Sequence, residues 1–193
     1  MLRSLSLALA ATAFIAGSAY AEPVKYTLDP SHSQVVFTWN HLGFSDTTGM
    51  FGGFEGEIMF DEENPEASSV SVEIPAASLL TGWDARAEHM KSGDFFSAES
   101  NPVITFRSTE IETPGDKTAN ITGDLTLNGI TKPVTLETTL NNSGDYRMGG
   151  GKALGFNATT TIKRSEFDMG KFAPNVSDDV KLRISVEAMA GKS

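Results

Sequence analysis

Through most of the chain, apolar and polar residues alternate with a period of two, the signature of strands with one dry face. Val35, Phe37, Trp39 and His41 share one face of a first clear strand, with Val36, Thr38 and Asn40 on the other. Phe54, Ile58 and Phe60 alternate with Glu55, Glu57 and Met59. Gly56 takes an apolar-side place there, where glycine permits a bend or a close approach. The pattern returns at Val70, Val72 and Ile74, at Ile104, Phe106 and Ser108, and at Ile121, Leu125 and Leu127. It continues at Val134, Leu136 and Leu140, at Leu154 to Ile162, and at Val180, Leu182, Ile184 and Val186. Turn chemistry separates these runs. Asp29-Pro30-Ser31 is a turn, Gly43 to Gly53 reads as a glycine loop, and Asn128-Gly129 predicts a type I′ hairpin needing positive φ at both residues. Further turns are predicted at 61–65, 141–145 and 149–151. Eight or nine strands joined by short polar turns predict an all-β fold, a closed antiparallel barrel, with a sandwich as the alternative.

One stretch, Leu79 to Phe106, breaks the alternation. Thr81 and Asp84 have capping-box spacing, so a helix is predicted to start at Thr81. Trp83, Ala87 and Met90 form its apolar stripe, and Ser92-Gly93 offers an exit through positive φ. Arg86 and His89, three apart, share a face. On one reading they hydrogen-bond backbone carbonyls and hold the helix on the barrel rim; on the other they orient a ligand's polar head. Phe95 and Phe96 follow, and Asn101-Pro102 precedes the next strand.

Composition narrows the functional classes. Residues 1–21 carry one charge, Arg3, then a small and apolar run ending in Ala19-Tyr20-Ala21, the pattern of a secretory leader cleaved after Ala21. Cleavage leaves 172 residues, read as a single domain over 22–193, and moves the net charge from −10 to −11. That charge opposes nucleic acid and anionic membrane surfaces. No stable membrane insertion is expected, and the location is read as periplasmic export. With no cysteine there is no disulfide, thiolate metal site, thiol nucleophile or lipidated cysteine.

The inward set includes Phe37, Trp39, Phe54, Ile104, Phe106 and Phe156, and eight strands allow either a filled core or room for one ligand. A metal-dependent hydrolase on His32, His41 and His89, with Asp29 or Asp94 adding oxygen, is the enzymatic alternative. Against it, no two histidines have i, i+4 spacing, and H-E-x-x-H is absent. G-x-S-x-G is absent as well.

Several motifs recur together: Asp29-Pro30-Ser31-His32-Ser33, Phe37 to His41, Gly49-x-Phe51-x-Gly53-Phe54, and Thr81-Gly82 with Arg86-x-x-His89. Asp94-Phe95-Phe96, Pro102-x-x-Thr105-Phe106, Gly123-x-Leu125-Thr126 with Gly129, and Arg164-x-x-Phe167 complete the set. In order and spacing, from Val24 to Ala188, they resemble the YceI-like family of periplasmic polyisoprenoid-binding proteins. The chain departs from that pattern at Ala87, where an acidic residue is usual after the helix arginine, and at Asp168, where glycine is usual. The resemblance implies a lipocalin-like barrel whose apolar channel holds an isoprenoid chain, such as a quinone tail, without catalysis or cofactor. It further implies a homodimer as the usual state, and association of some relatives with b-type cytochromes in the membrane. Parity and helix face nominate Phe37, Trp39, His41, Phe54, Trp83, Arg86, His89, Met90, Phe96, Ile104, Phe106 and Phe156 as ligand-facing, with no metal or catalytic residue.

Overall fold

The computed structural model describes residues 22–191. The leader read over 1–21 and its cleavage after Ala21 lie outside the described residues. Ten strand segments and one helix follow in chain order: β1 (Val24–Leu28), β2 (Gln34–His41), β3 (Ser45–Phe51), β4 (Glu55–Phe60), β5 (Ser69–Pro75), α1 (Asp84–Lys91), β6 (Val103–Gly115), β7 (Thr118–Leu127), β8 (Ile130–Asp145), β9 (Lys152–Lys163) and β10 (Asp179–Ala190). All pairings are antiparallel, and the hydrogen-bonded order β1-β4-β5-β6-β7-β8-β9-β10 closes on itself through β1 and β10.

The wall has eight positions because two of them are broken strands. β10 pairs with β1 through Ala188 to Ala190 and with β2 through Lys181 to Ser185, so β1 and β2 are two halves of one position. β4 pairs with β1 and β3 with β2, which makes β3 and β4 the halves of the next. The first break is the Asp29-Pro30-Ser31 turn, where the Ser31 N–H donates to Asp29 Oδ1 at 2.8 Å. The second falls at Gly52-Gly53, with Gly53 at φ +68°.

Four sequence expectations need correction. The glycine-marked loop contains strand β3, whose Gly49 pairs with Phe37. A side chain at residue 49 would collide with that ring, so the glycine there serves packing and not a turn. Residues 141–145 do not turn but continue β8 past a bulge, with Asn141 as the extra residue, and the chain reverses over Tyr146 to Gly151 instead. The helix starts at Asp84, not Thr81. Thr81 Oγ1 donates to the Trp83 carbonyl at 2.9 Å, so no capping box forms. Its exit also differs: Ser92 is extended at φ −71°, and positive φ is not used.

Other expectations hold. Asn128 and Gly129 take φ +50° and +74° between β7 and β8. Gly56 adopts φ +141°, and a Cβ there would lie 2.1 Å from the Ser71 carbonyl oxygen, so the glycine permits the close approach of β5. On β6, a bulge between Ser108 and Glu110 reverses the inward parity, bringing Ile111 onto the face of Ile104 and Phe106.

The two barrel ends differ. At the helix end lie the β2–β3 turn, the 76–102 connection with α1, the Asn128-Gly129 turn and the 164–178 segment. The far end carries the turns 61–68, 115–118 and 146–151.

Candidate functional site: an apolar channel along the barrel

A cavity of about 780 Å³ runs inside the barrel, within the range of ligand sites. Inward residues of the strands line its length, among them Phe37, Ile58, Phe106, Leu136, Phe156 and Ile184. Thr138 is the polar side chain in that middle zone, and its hydroxyl is spent on the Leu136 carbonyl at 3.3 Å. The channel therefore offers a guest dispersion and burial but few directional contacts. Toward the helix end, aromatic rings concentrate: Phe37 stacks on Trp39 and Phe51 with centroids 5.6 and 5.4 Å apart, and Phe51 meets Phe96 edge-on at 5.2 Å. At the far end Pro65, Ser68 and residues 113–119 reach the cavity.

The channel's arginines and two of the chain's histidines stand at the helix end, while Asp116 and Lys117 reach the channel at the far end. Arg164 is 6 % exposed, and its guanidinium donates to four carbonyls: Ser177 and Val176 at 2.8 Å, Lys171 at 2.7 Å, and Met169. Burial pushes its pKa below the ordinary value, with nearby Asp178 opposing. Arg86 donates through one terminal nitrogen to the Thr81 carbonyl, while its buried Nε has no partner. Among the described residues neither guanidinium is in contact with a carboxylate. His89 Nε2 lies 2.8 Å from Asp94 Oδ2, which also takes the Lys171 ammonium. Lys171 first, then His89, hold the Asp94 carboxyl below its usual range. The pair Asp94–Lys171 thus ties the segment after α1 to the 164–178 segment. Phe172 stands beside this tie, 6.5 Å from His89 and 6.4 Å from Phe95.

Of the nominated residues, Phe37, Trp39, His41, Phe54, Arg86, His89, Met90, Phe96, Ile104, Phe106 and Phe156 line the channel. Trp83 does not: it precedes the helix, is 63 % exposed, and lies beneath the Arg86 guanidinium at 6.0 Å. Arg86 and His89 do share the inward face. His32, His41 and His89 are not assembled. His32 sits at the β1–β2 break, bonded to Asp29 at 2.7 Å with Glu187 nearby, whereas His41 and His89 are at the channel end. Phe51, Phe95, Arg164 and Phe172 also line the channel and escaped nomination. Phe51 sits in the stretch whose glycines read as a loop, and Arg164 signals itself only through Arg164-x-x-Phe167. Phe172 lies in a segment without periodicity, and no sequence signal points to it.

Comparison with known proteins agrees with this architecture. The model of the YceI-like domain family matches residues 26–188. Protein YceI of Escherichia coli O6:H1 is 43 % identical over 188 residues, covering 97 % of both chains. Among solved structures, Burkholderia cenocepacia BcnA superposes with a TM-score of 0.76 at 27 % identity, covering 84 % of this chain and 99 % of that one. A Saccharophagus degradans domain described as polyisoprenoid binding has the same fold, with a TM-score of 0.67 at 15 % identity over 86 % and 99 % of the two chains. By family model, by identity over nearly its whole length and by fold, the chain belongs to the YceI-like family.

Proposed function

We propose that this protein binds one long isoprenoid lipid, quinone-headed or similar, in its barrel channel and carries or sequesters it in the periplasm without chemical change. One observation carries the reading: the cavity is apolar along its length between the two ends, with polar side chains confined to its termini apart from one internally satisfied threonine. An apolar chain fits that lining, while a polar substrate would lose its water without compensation. The description of the S. degradans domain as polyisoprenoid binding supports the ligand class. The leader-like residues 1–21 support export, and the absence of an assembled histidine cluster in the channel supports binding over hydrolysis.

The test is solvent extraction of freshly purified protein with mass spectrometry, followed by titration of delipidated protein with isoprenoids of increasing length. Each buried methylene contributes roughly 0.8 kcal/mol. Affinity should therefore climb with each five-carbon unit and level off when the channel is full. Absence of extracted lipid together with a flat series would refute the reading.

A further inference from the structure

Eight large apolar side chains stand exposed among the described residues, and six belong to the helix end: Leu42, Phe44, Leu80, Trp83, Val103 and Phe172. The other two, Val24 and Met148, lie at the far end. Phe44 is 90 % exposed on the β2–β3 turn. The segments bearing these side chains are the ones that frame the channel's end. The β2–β3 turn adjoins His41, the connection into α1 leads to Arg86, His89 and Met90, and the 164–178 segment supplies Phe172 and Val176. They are also fastened to one another. The Leu42 N–H donates to the Asn175 carbonyl at 3.1 Å, His41 bridges Val176, and Lys171 reaches Asp94. The apolar groups are thus held in water by ordered turns, a costly arrangement unless something covers them.

We propose that this rim docks transiently on the interfacial zone of a neutral or zwitterionic bilayer, so that the cargo passes between membrane and channel without crossing water. The proposal rests on the isoprenoid reading above: a guest with so long an apolar chain resides in membranes, and the rim is continuous with the channel that receives it. Phe and Trp side chains on a rim suit the headgroup–acyl boundary. A net charge of −10 disfavours an anionic surface as the attraction. No helix among the described residues is long and apolar enough to cross a membrane, and a handful of rim side chains gives contact that reverses. A second copy seated here would seal the channel's end, which sets it against the bilayer as the occupant.

Two measurements test this. In the first, cargo-free protein is mixed with vesicles of brominated phosphatidylcholine, which quench an indole entering the interface. In a Trp39→Phe background, which leaves Trp83 as the sole indole, emission should fall with vesicle concentration, Phe44→Asp should require at least tenfold more vesicles, and Met148→Asp at the far end should behave as its parent. In the second, the rate of transfer of a fluorescent isoprenoid from protein to phosphatidylcholine vesicles should rise with vesicle concentration. Phe44→Asp should slow it at least tenfold while leaving affinity for a short, water-soluble isoprenoid unchanged. No quenching together with a transfer rate independent of vesicle concentration overturns the docking. So does a wild-type dimer, seen by light scattering, that Phe44→Asp dissociates, since the face would then belong to a second copy. Quenching without any isoprenoid affinity would leave the docking standing and refute the carrier reading instead.

Discussion

The ring of Phe37 fills the space that a side chain on Gly49 would need: the two residues are paired across β2 and β3, and a Cβ at 49 would come within 2.3 Å of Phe37 Cζ. Alanine normally gains over glycine inside a strand. Here overpacking should dominate, and Gly49→Ala should lower stability by about 1–3 kcal/mol in urea unfolding. In a Phe37→Leu background the penalty should shrink, and an undiminished penalty would place the strain elsewhere.

The Asp29–His32 pair should make the β1–β2 break pH-dependent. The hydrogen bond from His32, then those from Ser31, lower Asp29 from 3.8 to about 2, and the bond to Asp29 raises His32 above 6.5. A depressed carboxyl stabilises the fold above its unfolded value and loses that contribution as pH falls toward 2. A raised histidine stabilises below its unfolded value and loses that contribution as pH rises through its folded one. The stability gap between wild type and Asp29→Asn should therefore be widest between about pH 4 and 6.5 and narrow on both sides. A gap flat with pH would contradict this.

Replacing Arg164 with Met leaves the carbonyls of Met169, Lys171, Val176 and Ser177 without their donor. At roughly 1–3 kcal/mol for each acceptor that water cannot reach, a loss of about 3 kcal/mol or more is expected. Protease cleavage within 169–177 should accompany it. Arg164→Lys should recover less than half, since one ammonium cannot span four carbonyls.

If the unpartnered Nε of Arg86 meets the head of a guest, Arg86→Met should weaken a quinone-headed isoprenoid by about 1.5–3 kcal/mol more than a plain hydrocarbon of equal length, the worth of a hydrogen bond to a charged group. His89→Ala should matter less, because Nε2 is already engaged by Asp94. Equal losses for both ligands in Arg86→Met would assign the arginine to holding Thr81 alone.

Ala158 lies on the channel wall opposite Ile184 and Thr138 in the strand register. Ala158→Phe should project a ring into the cavity and shorten the chain length at which isoprenoid affinity levels off. Titration with the same length series reads the shift, and an unchanged plateau would mean that the guest does not pass this point.

The sequence made the wall legible where one parity persists, as along Val180 to Val186, and where a turn has a unique backbone demand, as at Asn128-Gly129. It misled where a residue had two physical uses. Gly49 looked like a loop glycine but makes room for Phe37. Asn141 and Gly144 read as a turn, although β8 runs through both, Asn141 as a bulge and Gly144 paired with Ala153. Thr81 looked like a helix cap, yet its hydroxyl prefers a carbonyl. The channel end was half legible: helix periodicity placed Arg86 and His89 on one face, while Phe172 depends on a fold of the 164–178 segment that no periodicity announces.

Strand β3 has a consequence for how the molecule survives in crowded surroundings. It ends the hydrogen-bonded order of an otherwise closed wall, and its outer edge is covered at one place, where Met50 and Leu80 exchange backbone hydrogen bonds. An open edge is a template for aggregation through foreign strands. This one is only seven residues long and carries Asp46 and Gly49, a charge and a weak β-former that make it a poor template. Should the Leu80 clasp open, the whole outer edge of β3 would be free, and misassembly by strand exchange could begin there.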